Sequence, residues 1–394
     1  MKKLWSKEKT ALDPIVEAFE TKDDLVVDQK LIPFDVQGSL VHAKMLAKIG
    51  ILSKDELGKI EEGLEEILKL YRKGKFQLGF GEEDMHTKIE NYLTENYGSV
   101  GEKIHTGRSR NDQILTVTRL FSKDKLEEIQ KLLADLIADF TTFSQKYGDI
   151  PMPGYTHMQK AMPSSVALWA GSFKDSLQDD LVLVKAAATA NNQSPLGSAA
   201  GYGSPIKLDK SYSAKLLGFE KVQNNPLYCQ NSRGKVEAAI VASLISVLLT
   251  INKFASDVLL FTMQEFQFFT VSDALLTGSS MLPQKKNVDV AELLRSKVHV
   301  VLGYYTTLVS LSSNLISGYN RDLQDSKKPL IESLETTHDS IKVASILLKN
   351  LTPNTKILQS AISEDMLAAN KAYTLVTKGM TFRKAYEKVK KEIT

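Results

Sequence analysis

Cysteine is nearly absent from this sequence: Cys229 is the only one in 394 residues, which excludes an intrachain disulfide. A catalytic thiolate needs a nearby base and positive charge. The neighbours Tyr228 and Gln230 supply neither, so we expect no catalytic thiol here. The lack of disulfides suits a reducing compartment, and we predict a cytoplasmic protein.

The sequence also has no excess of one charge and no long apolar run. Its 50 Lys and Arg against 47 Asp and Glu give a net charge of +3, spread along the chain, which does not indicate nucleic-acid binding. The longest apolar stretch, 238–251, is interrupted by hydroxyl residues and is shorter than a membrane span. Residues 1–7 are basic but precede no apolar segment, so no signal peptide is predicted. We expect neither nucleic acid nor a membrane as a partner.

What the sequence does contain is helical periodicity. Apolar residues in 57–68 share one helix face, and Ser53 with Glu56 before them has the form of a capping box. Further helical stretches run over 125–140, 166–188, 232–269 and 288–316. Only 151–163, which holds three prolines, is predicted to be extended. These patterns predict an all-α helical bundle.

The length allows two or three domains. The most plausible boundaries lie near 101–107 and near 351–354, where glycine or proline interrupts the helical pattern. We therefore predict an N-terminal helical domain over 1–105, a central helical bundle over 106–353 and a short C-terminal helical domain over 354–394.

Polar segments interrupt the apolar helices. The first, 106–113, reads Thr-Gly-Arg-Ser-Arg-Asn-Asp-Gln and precedes a long helix, where backbone N–H groups and arginine suit a carboxylate. A capped and solvated helix start explains it equally well. The second, 154–160, holds His157 beside Thr156. Such a ring suits proton transfer, although a structural histidine is the more common case.

The third polar segment, 194–203, is rich in glycine but lacks the order of a phosphate or dinucleotide loop, which favours a structural turn. The fourth, 278–287, reads Gly-Ser-Ser-Met-Leu-Pro-Gln-Lys-Lys-Asn. Ser279 is a weak base unless positive charge, such as that of Lys285, and backbone donors stabilise its alkoxide. A flexible loop between helices is the alternative. His86 and Glu90 lack a third ligand, so no metal site is predicted.

Together these segments resemble the fumarase/aspartase superfamily, and within it the argininosuccinate lyase family, to which the delta-crystallins are related. The Ser-Ser and Pro-Gln-Lys-Lys-Asn of 279–287 are similar to the loop of that family. Segments 106–113, 154–159, 194–201 and 318–324 look like further family segments in the family's order. The resemblance implies a three-domain fumarase/aspartase-like fold whose long central bundle tetramerises. It also implies anti β-elimination of argininosuccinate to L-arginine and fumarate, in arginine biosynthesis and without a cofactor.

Site residues follow from the resemblance by motif position. It implies that Ser279 is the catalytic base, that His157 is the acid, and that Glu292 orients this histidine. Lys285 and Asn287 are expected to hold the carboxylates that gain charge in the transition state. Further substrate contacts are implied for Asp28, Asp84, Ser109, Arg110, Asn111, Thr156, Tyr319, Gln324 and Lys327. Family members are homotetramers in which three subunits share each active site.

The sequence departs from the family pattern in several places. Asp24 stands where a substrate-binding serine is usual, and a carboxylate there repels an anionic substrate unless it contacts the amine. Met281-Leu282 reverses the usual order of two apolar residues of similar volume, so little effect is expected. The usual Gly-Gly-Arg-Phe does not follow Leu4 and Trp5, and the sequence ends before the family's usual C-terminal helices.

Several alternative functions can be weighed against this one. The ending 284–287 and the segment 106–113 speak against a superfamily lyase for adenylosuccinate, fumarate or aspartate. An argininosuccinate acylated on its amine stays open, because Asp24 and Asp28 lie where that amine is expected. A non-catalytic crystallin or a helical scaffold shares the fold without the activity. Retention of the acid, base and anion-binding residues together favours the enzyme.

Overall fold

A computed structural model describes residues 13–79 and 81–393, so Leu4 and Trp5 lie outside the described residues. Helices dominate these residues, which confirms the predicted all-α class. The α-helices are α1 Pro14–Lys48, α2 Lys54–Arg72, α3 Met85–Tyr97, α4 Ser99–Glu102, α5 Arg110–Tyr147, α6 Val166–Asn191, α7 Lys210–Leu216, α8 Pro226–Asn231, α9 Lys235–Thr262, α10 Asp289–Leu311, α11 Lys327–Lys349, α12 Thr355–Ser360, α13 Ala368–Thr377 and α14 Phe382–Ile393.

Short strands pair two by two between the helices. The pair that follows α5 is an antiparallel hairpin, which confirms the extended region predicted over 151–163. Two further pairs are antiparallel and one is parallel. The pairs are β1 Pro151–Thr156 with β2 Gln159–Ser165, β3 Gln193–Ser194 with β4 Lys221–Val222, β5 Phe269–Val271 with β8 Leu351–Pro353, and β6 Thr277–Gly278 with β7 Lys286–Asn287.

The residues fall into two compact units. The first unit comprises the described residues of Met1–Glu128 together with Leu183–Ile245 and Val300–Thr336. The second comprises Ile129–Val182, Ser246–His299 and the described residues of Thr337–Thr394. The three-domain division of the sequence stays a prediction.

The start of α2 confirms the predicted capping box. The Ser53 hydroxyl accepts a hydrogen bond from the Glu56 backbone N–H at 3.2 Å, and the Glu56 carboxylate accepts one from the Ser53 N–H at 2.9 Å. Two N–H groups at the helix start, which have no partner within the helix, are thereby satisfied. Ile60, Leu64 and Ile67 on the predicted face are buried.

Two predicted helices end earlier than expected. The stretch 232–269 was predicted to be one helix, but α9 ends at Thr262 and Phe269 already belongs to β5. The chain turns back at Gln267, which has a positive φ of 50°, and Thr270 and Val271 are β-branched residues that suit a strand. Likewise α10 ends at Leu311 instead of 316.

The structure corrects the expectation that the apolar stretch 238–251 is too short to span a membrane, because the helical segment that contains it is longer. The segment Pro226–Thr262 is long and apolar enough to cross a membrane by length and composition alone. Within its most apolar window 56% is buried inside the fold, and Leu244, Val247 and Leu248 are fully buried. This burial is typical of the core helix of a globular protein.

An aromatic cluster supports the β1–β2 hairpin in the second unit. The Trp169 ring lies 4.9 Å from that of Phe269, and its N–H donates to the Asp257 carboxylate at 2.9 Å. Tyr155 in β1 meets Phe266 edge-on, with the ring centroids 6.1 Å apart. Such aromatic contacts each contribute roughly 0.5–1.5 kcal/mol beyond area burial, so they stabilise the packing around the hairpin.

Candidate active site

The first unit contains a cavity of about 200 Å³ with a strongly charged lining. It brings together seven of the residues that the sequence predicted to contact substrate. These are Asp28, Asp84, Arg110, Asn111, Tyr319, Gln324 and Lys327. The other lining residues, Glu20, Asp24, Glu83, His86, Ile114, Arg233 and Arg321, were not predicted as substrate contacts, although Asp24 was singled out as a departure from the family.

Lys327, the first residue of α11, lies at the wall of this cavity between two carboxylates of α1. Its ammonium donates to Asp28 at 2.6 Å and lies 3.0 Å from Asp24. Burial opposes the charged form, but the two carboxylates together raise the pKa of Lys327 above its ordinary value. The lysine is therefore a fixed positive charge.

Arg110, the first residue of α5, lies between two carboxylates at the start of α3. It forms an ion pair with Glu83, lies 3.5 Å from Asp84, and donates to the Thr87 hydroxyl at 2.9 Å. Asp84 caps α3 by accepting from the Thr87 backbone N–H at 2.7 Å. Burial opposes ionisation of Asp84, but His86 and Arg110 hold the pKa of this carboxyl below its usual value.

His86 is buried and can carry a positive charge. The sequence indicated it only as a candidate metal ligand, and offered no third ligand to complete a metal site. Its Nδ1 lies 2.8 Å from the Asp35 carboxylate, and its Nε2 has no hydrogen-bond partner in the described part of the chain. Burial disfavours the charged ring, but Asp35 and Asp84 raise the pKa of His86. Asp35 lies fifty-one residues away on another helix, so this pairing could not be predicted from the sequence without the fold.

Another wall of the cavity comes from the predicted segment 318–324 and its neighbours. The Arg233 guanidinium lies over the ring of Tyr319, 5.4 Å from the ring centroid. Gln324 donates to the backbone carbonyl of Glu20 at 2.7 Å, and Arg321 lies 3.3 Å from the Glu20 carboxylate. These contacts fix the phenol and the amide that the sequence predicted.

The first and third polar segments meet at Asp112. One oxygen of this buried carboxylate accepts from the Ser109 N–H, and the other accepts from the N–H groups of Gly197 and Ala199, all at 2.9 Å. The Ser109 N–H therefore has a structural partner, and Ser109 is not among the residues that line the described cavity. Gly197 has a φ of 92°, which suits the structural turn that the sequence predicted there.

The fourth polar segment, 278–287, forms a loop in the second unit, which we call the serine loop. The paired strands β6 and β7 close its base. The Ser279 side chain is half-buried, and its oxygen accepts from the backbone N–H groups of Met281 at 3.3 Å and Leu282 at 3.1 Å. Two donors aimed at one hydroxyl oxygen stabilise negative charge there. This is the backbone support that an alkoxide base needs.

The remaining loop residues differ in exposure. Lys285 is exposed, and its backbone N–H donates to the Leu282 carbonyl at 3.0 Å. Asn287 is half-buried in β7, paired with Thr277. Lys286 forms an ion pair with Asp273 at 2.7 Å. Because Lys286 is engaged, Lys285 is the lysine of this loop that is available to an anion.

His157 and Met158 form the two-residue turn of the β1–β2 hairpin, also in the second unit. Their φ values are 52° and 62°, and Thr156 pairs with Gln159 on either side. Two positive φ values in a two-residue hairpin turn are typical of type I′, which favours Asn and Gly. Histidine at this position is strained, and such strain is most often kept at functional sites.

Glu292 lies exposed in the first turn of α10. The predicted pairing of Glu292 with His157 stays a prediction, and among the described residues no hydrogen bond joins the two. Thr156 and His157 are both exposed at the hairpin tip. The structure thus brings seven of the predicted substrate contacts together in one cavity, and places the predicted acid and base on two separate turns of the second unit.

The cavity of paired charges in the first unit is typical of a binding site for a small, highly charged ligand. A protein-family model described as Lyase matches residues 7–303 of the chain.

Curated relatives give a finer assignment. The chain is 45% identical to the argininosuccinate lyase of Thermotoga neapolitana, covering 98% of this chain and 97% of that protein. It is 38% identical to the argininosuccinate lyase of Parabacteroides distasonis, covering 98% and 86%. The chain belongs to this lyase family, within its argininosuccinate lyase branch, which confirms the family and enzyme class predicted from the motifs.

Solved structures share the fold. EDDS lyase in complex with formate matches with a TM-score of 0.81 at 22% identity, covering 96% of this chain and 75% of that one. The fumarate lyase:delta crystallin from Brucella melitensis matches with a TM-score of 0.80 at 17% identity, covering 97% and 90%. At these identities the likeness concerns the fold alone, and it confirms the predicted fumarase/aspartase-like architecture.

Proposed function

We propose that this chain cleaves argininosuccinate into L-arginine and fumarate by anti β-elimination, as a step of arginine biosynthesis. The observation that carries the proposal is the charged cavity, which gathers seven predicted substrate contacts from distant parts of the sequence. The argininosuccinate lyase relatives, matched over nearly the whole chain, support the same substrate.

The first chemical step is removal of a proton from the succinyl carbon next to a carboxylate. Ser279 is the proposed base, and the N–H groups of Met281 and Leu282 stabilise its alkoxide. The electron pair left on carbon delocalises into the neighbouring carboxylate. Lys285 and Asn287 are proposed to hold the carboxylate oxygens where this charge develops, with Ser109 and Asn111 as further succinyl contacts.

The second step breaks the bond between the succinyl carbon and the guanidino nitrogen. The electron pair of the bond leaves with that nitrogen, and His157 is proposed to supply the proton that it needs. Thr156 beside it is proposed to contact substrate, and Glu292 to orient and charge the histidine. The proton restores the guanidinium of L-arginine, and fumarate and L-arginine then separate without a cofactor.

The amino-acid end of the substrate is proposed to occupy the cavity of the first unit. Lys327 and Arg110 supply positive charge, and Tyr319 and Gln324 supply neutral hydrogen-bonding groups. Asp28 and Asp84 hold these cations in place, and Asp84 is proposed to lie near the substrate amine. Paired charges of this kind suit a ligand that carries both signs.

We infer that the enzyme is a cytoplasmic homotetramer in which several subunits share each site. Large apolar side chains on α10 support an interface, because Leu293, Val300, Leu302 and Val309 are all exposed in the single chain. His157 is exposed and Ser279 half-buried in the single chain, which leaves both accessible to another copy. Sedimentation equilibrium of the purified chain tests the assembly: a monomer at micromolar concentration contradicts it.

Fumarate formation tests the function directly. We expect the purified chain to produce fumarate, seen by its ultraviolet absorbance, from argininosuccinate and not from adenylosuccinate or aspartate. The cavity is matched to an amino-acid end with both charges, which the succinyl nucleotide lacks. Activity on adenylosuccinate, or silence on argininosuccinate from folded protein, contradicts the proposal.

A further expectation concerns the acid. His157→Asn should lower kcat by about a hundredfold or more, because a positioned acid contributes at least this much to bond cleavage. Asparagine accepts a positive φ readily, so the turn should persist. Met158→Asn, at the neighbouring exposed position, is the matched control and should keep normal turnover. Equal rates for His157→Asn and the wild type across the pH range would rule out the acid role.

A further inference from the structure

The two carboxylates that contact Lys327 have different surroundings. Asp28 is 1% exposed, and besides Lys327 it accepts from the Met85 backbone N–H at 3.4 Å. Asp24 is 16% exposed and lines the cavity, and Lys327 is its only hydrogen-bond or ion-pair partner among the described residues. Asp28 therefore holds the lysine in place, whereas Asp24 keeps an oxygen available to a ligand.

The charge balance of the cavity points to the kind of ligand. Five carboxylates face four Lys and Arg side chains in its lining, and His86 is balanced by Asp35 outside the lining. The surplus carboxylate lies at Lys327, where one ammonium contacts both Asp24 and Asp28. The carboxylates are Glu20, Asp24, Asp28, Glu83 and Asp84, and the cations are Arg110, Arg233, Arg321 and Lys327.

Lys327 also has hydrogen-bonding capacity to spare. An ammonium carries three N–H donors. Two are directed to Asp28 and Asp24, and the third has no partner in the described chain. A ligand that offers a carboxylate to this N–H and a cation to the open oxygen of Asp24 completes both groups. The α-carboxylate and α-ammonium of an amino acid have this arrangement.

We propose that Asp24 is a specificity-determining residue, which accepts a hydrogen bond from the free α-ammonium of the substrate and excludes substrates acylated on that nitrogen. The proposal rests on the proposed function, since it assumes that the amino-acid end of argininosuccinate occupies this cavity. An acylated nitrogen is neutral and bulkier. It would leave the Asp24 carboxylate without a cation and the acyl group against a charged wall.

The protonation of Asp24 adds a pH signature to this contact. Burial raises the pKa of Asp24 to about 6, with Lys327 opposing the shift and Asp28 adding to it. The charged groups facing it are Asp28 on its own helix, Lys327 on α11 and Arg233 ahead of α9. Above this pH the carboxylate is ionised and accepts from the ammonium, and the contact is lost as the pH falls through about 6.

Equilibrium binding tests the contact without requiring turnover. We would measure calorimetric binding of L-arginine and of Nα-acetyl-L-arginine to the full chain and its variants. The wild type should prefer arginine, and Asp24→Asn should weaken arginine binding about ten- to hundredfold while changing the acetyl compound little. Asp23→Asn, the same change at the exposed neighbour on α1, should bind like the wild type.

Several results would overturn the inference. Unchanged arginine affinity in Asp24→Asn, or equal affinity of the wild type for both compounds, excludes the ammonium contact. The loss of affinity on acidification from pH 7.5 to 5.5 should be larger in the wild type than in Asp24→Asn, and parallel losses would assign it to other groups such as His86. With argininosuccinate, Asp24→Asn should raise KM and leave kcat nearly unchanged. A wild type that binds arginine but releases no fumarate contradicts the proposed function and leaves the role of Asp24 supported.

Discussion

Ser279→Ala should lower kcat for fumarate formation by about a thousandfold or more, because the proposed base is the residue without which the first bond cannot break. Alanine removes only an oxygen, and the hairpin loop between β6 and β7 keeps its backbone pairing. Substrate binding in the cavity of the first unit involves other residues. We therefore expect KM to change little while kcat collapses, as measured by the ultraviolet absorbance of fumarate.

Ser280→Ala is the comparison that identifies the hydroxyl. Ser280 is the exposed neighbour, and it lacks the two backbone N–H donors that Ser279 has from Met281 and Leu282. The alkoxide should therefore form at Ser279, and Ser280→Ala should lose far less activity. A larger loss in Ser280→Ala, or turnover in Ser279→Ala within tenfold of the wild type, would reassign the base.

Local patterns in the sequence predicted local structure well. The helix period gave α2 with its capping box, and the prolines indicated the extended hairpin. The end of α9 could not be read in this way, because Phe269 leaves the helix to pair with Pro353 more than eighty residues away. A strand partner so distant in sequence has no local signal.

The site shows the same division between local and distant information. The motif resemblance gave Lys327 and Asp28 as substrate contacts, and the structure brings them within 2.6 Å. It did not give His86 with Asp35, or Arg233 over the ring of Tyr319, because these pairs form between segments remote in sequence. Charge pairing across a cavity depends on the three-dimensional arrangement, so sequence spacing alone cannot predict it.

Lys327→Met should reduce the free energy of unfolding by about 3–5 kcal/mol at pH 7.5, the usual cost of removing one partner from a buried ion pair. Asp28 is 1% exposed and would remain as an uncompensated charge beside Asp24. The raised pKa of Lys327 means that its contribution is complete below the ordinary lysine value and is lost only as the pH rises through the raised one. Urea unfolding at pH 7.5 therefore measures the full effect as a lower midpoint at similar slope.

Two further variants separate lost charge pairing from lost packing. Lys328→Met makes the same substitution at the exposed next residue and should leave the urea midpoint unchanged. Adding Asp28→Asn to Lys327→Met should restore part of the lost stability, because the second change removes the carboxylate that the first leaves unpaired. If the double variant is instead less stable than Lys327→Met by the full cost of a second independent change, the lysine stabilises the fold through its packing. In that case the fixed cation proposed for this cavity would not depend on Asp28.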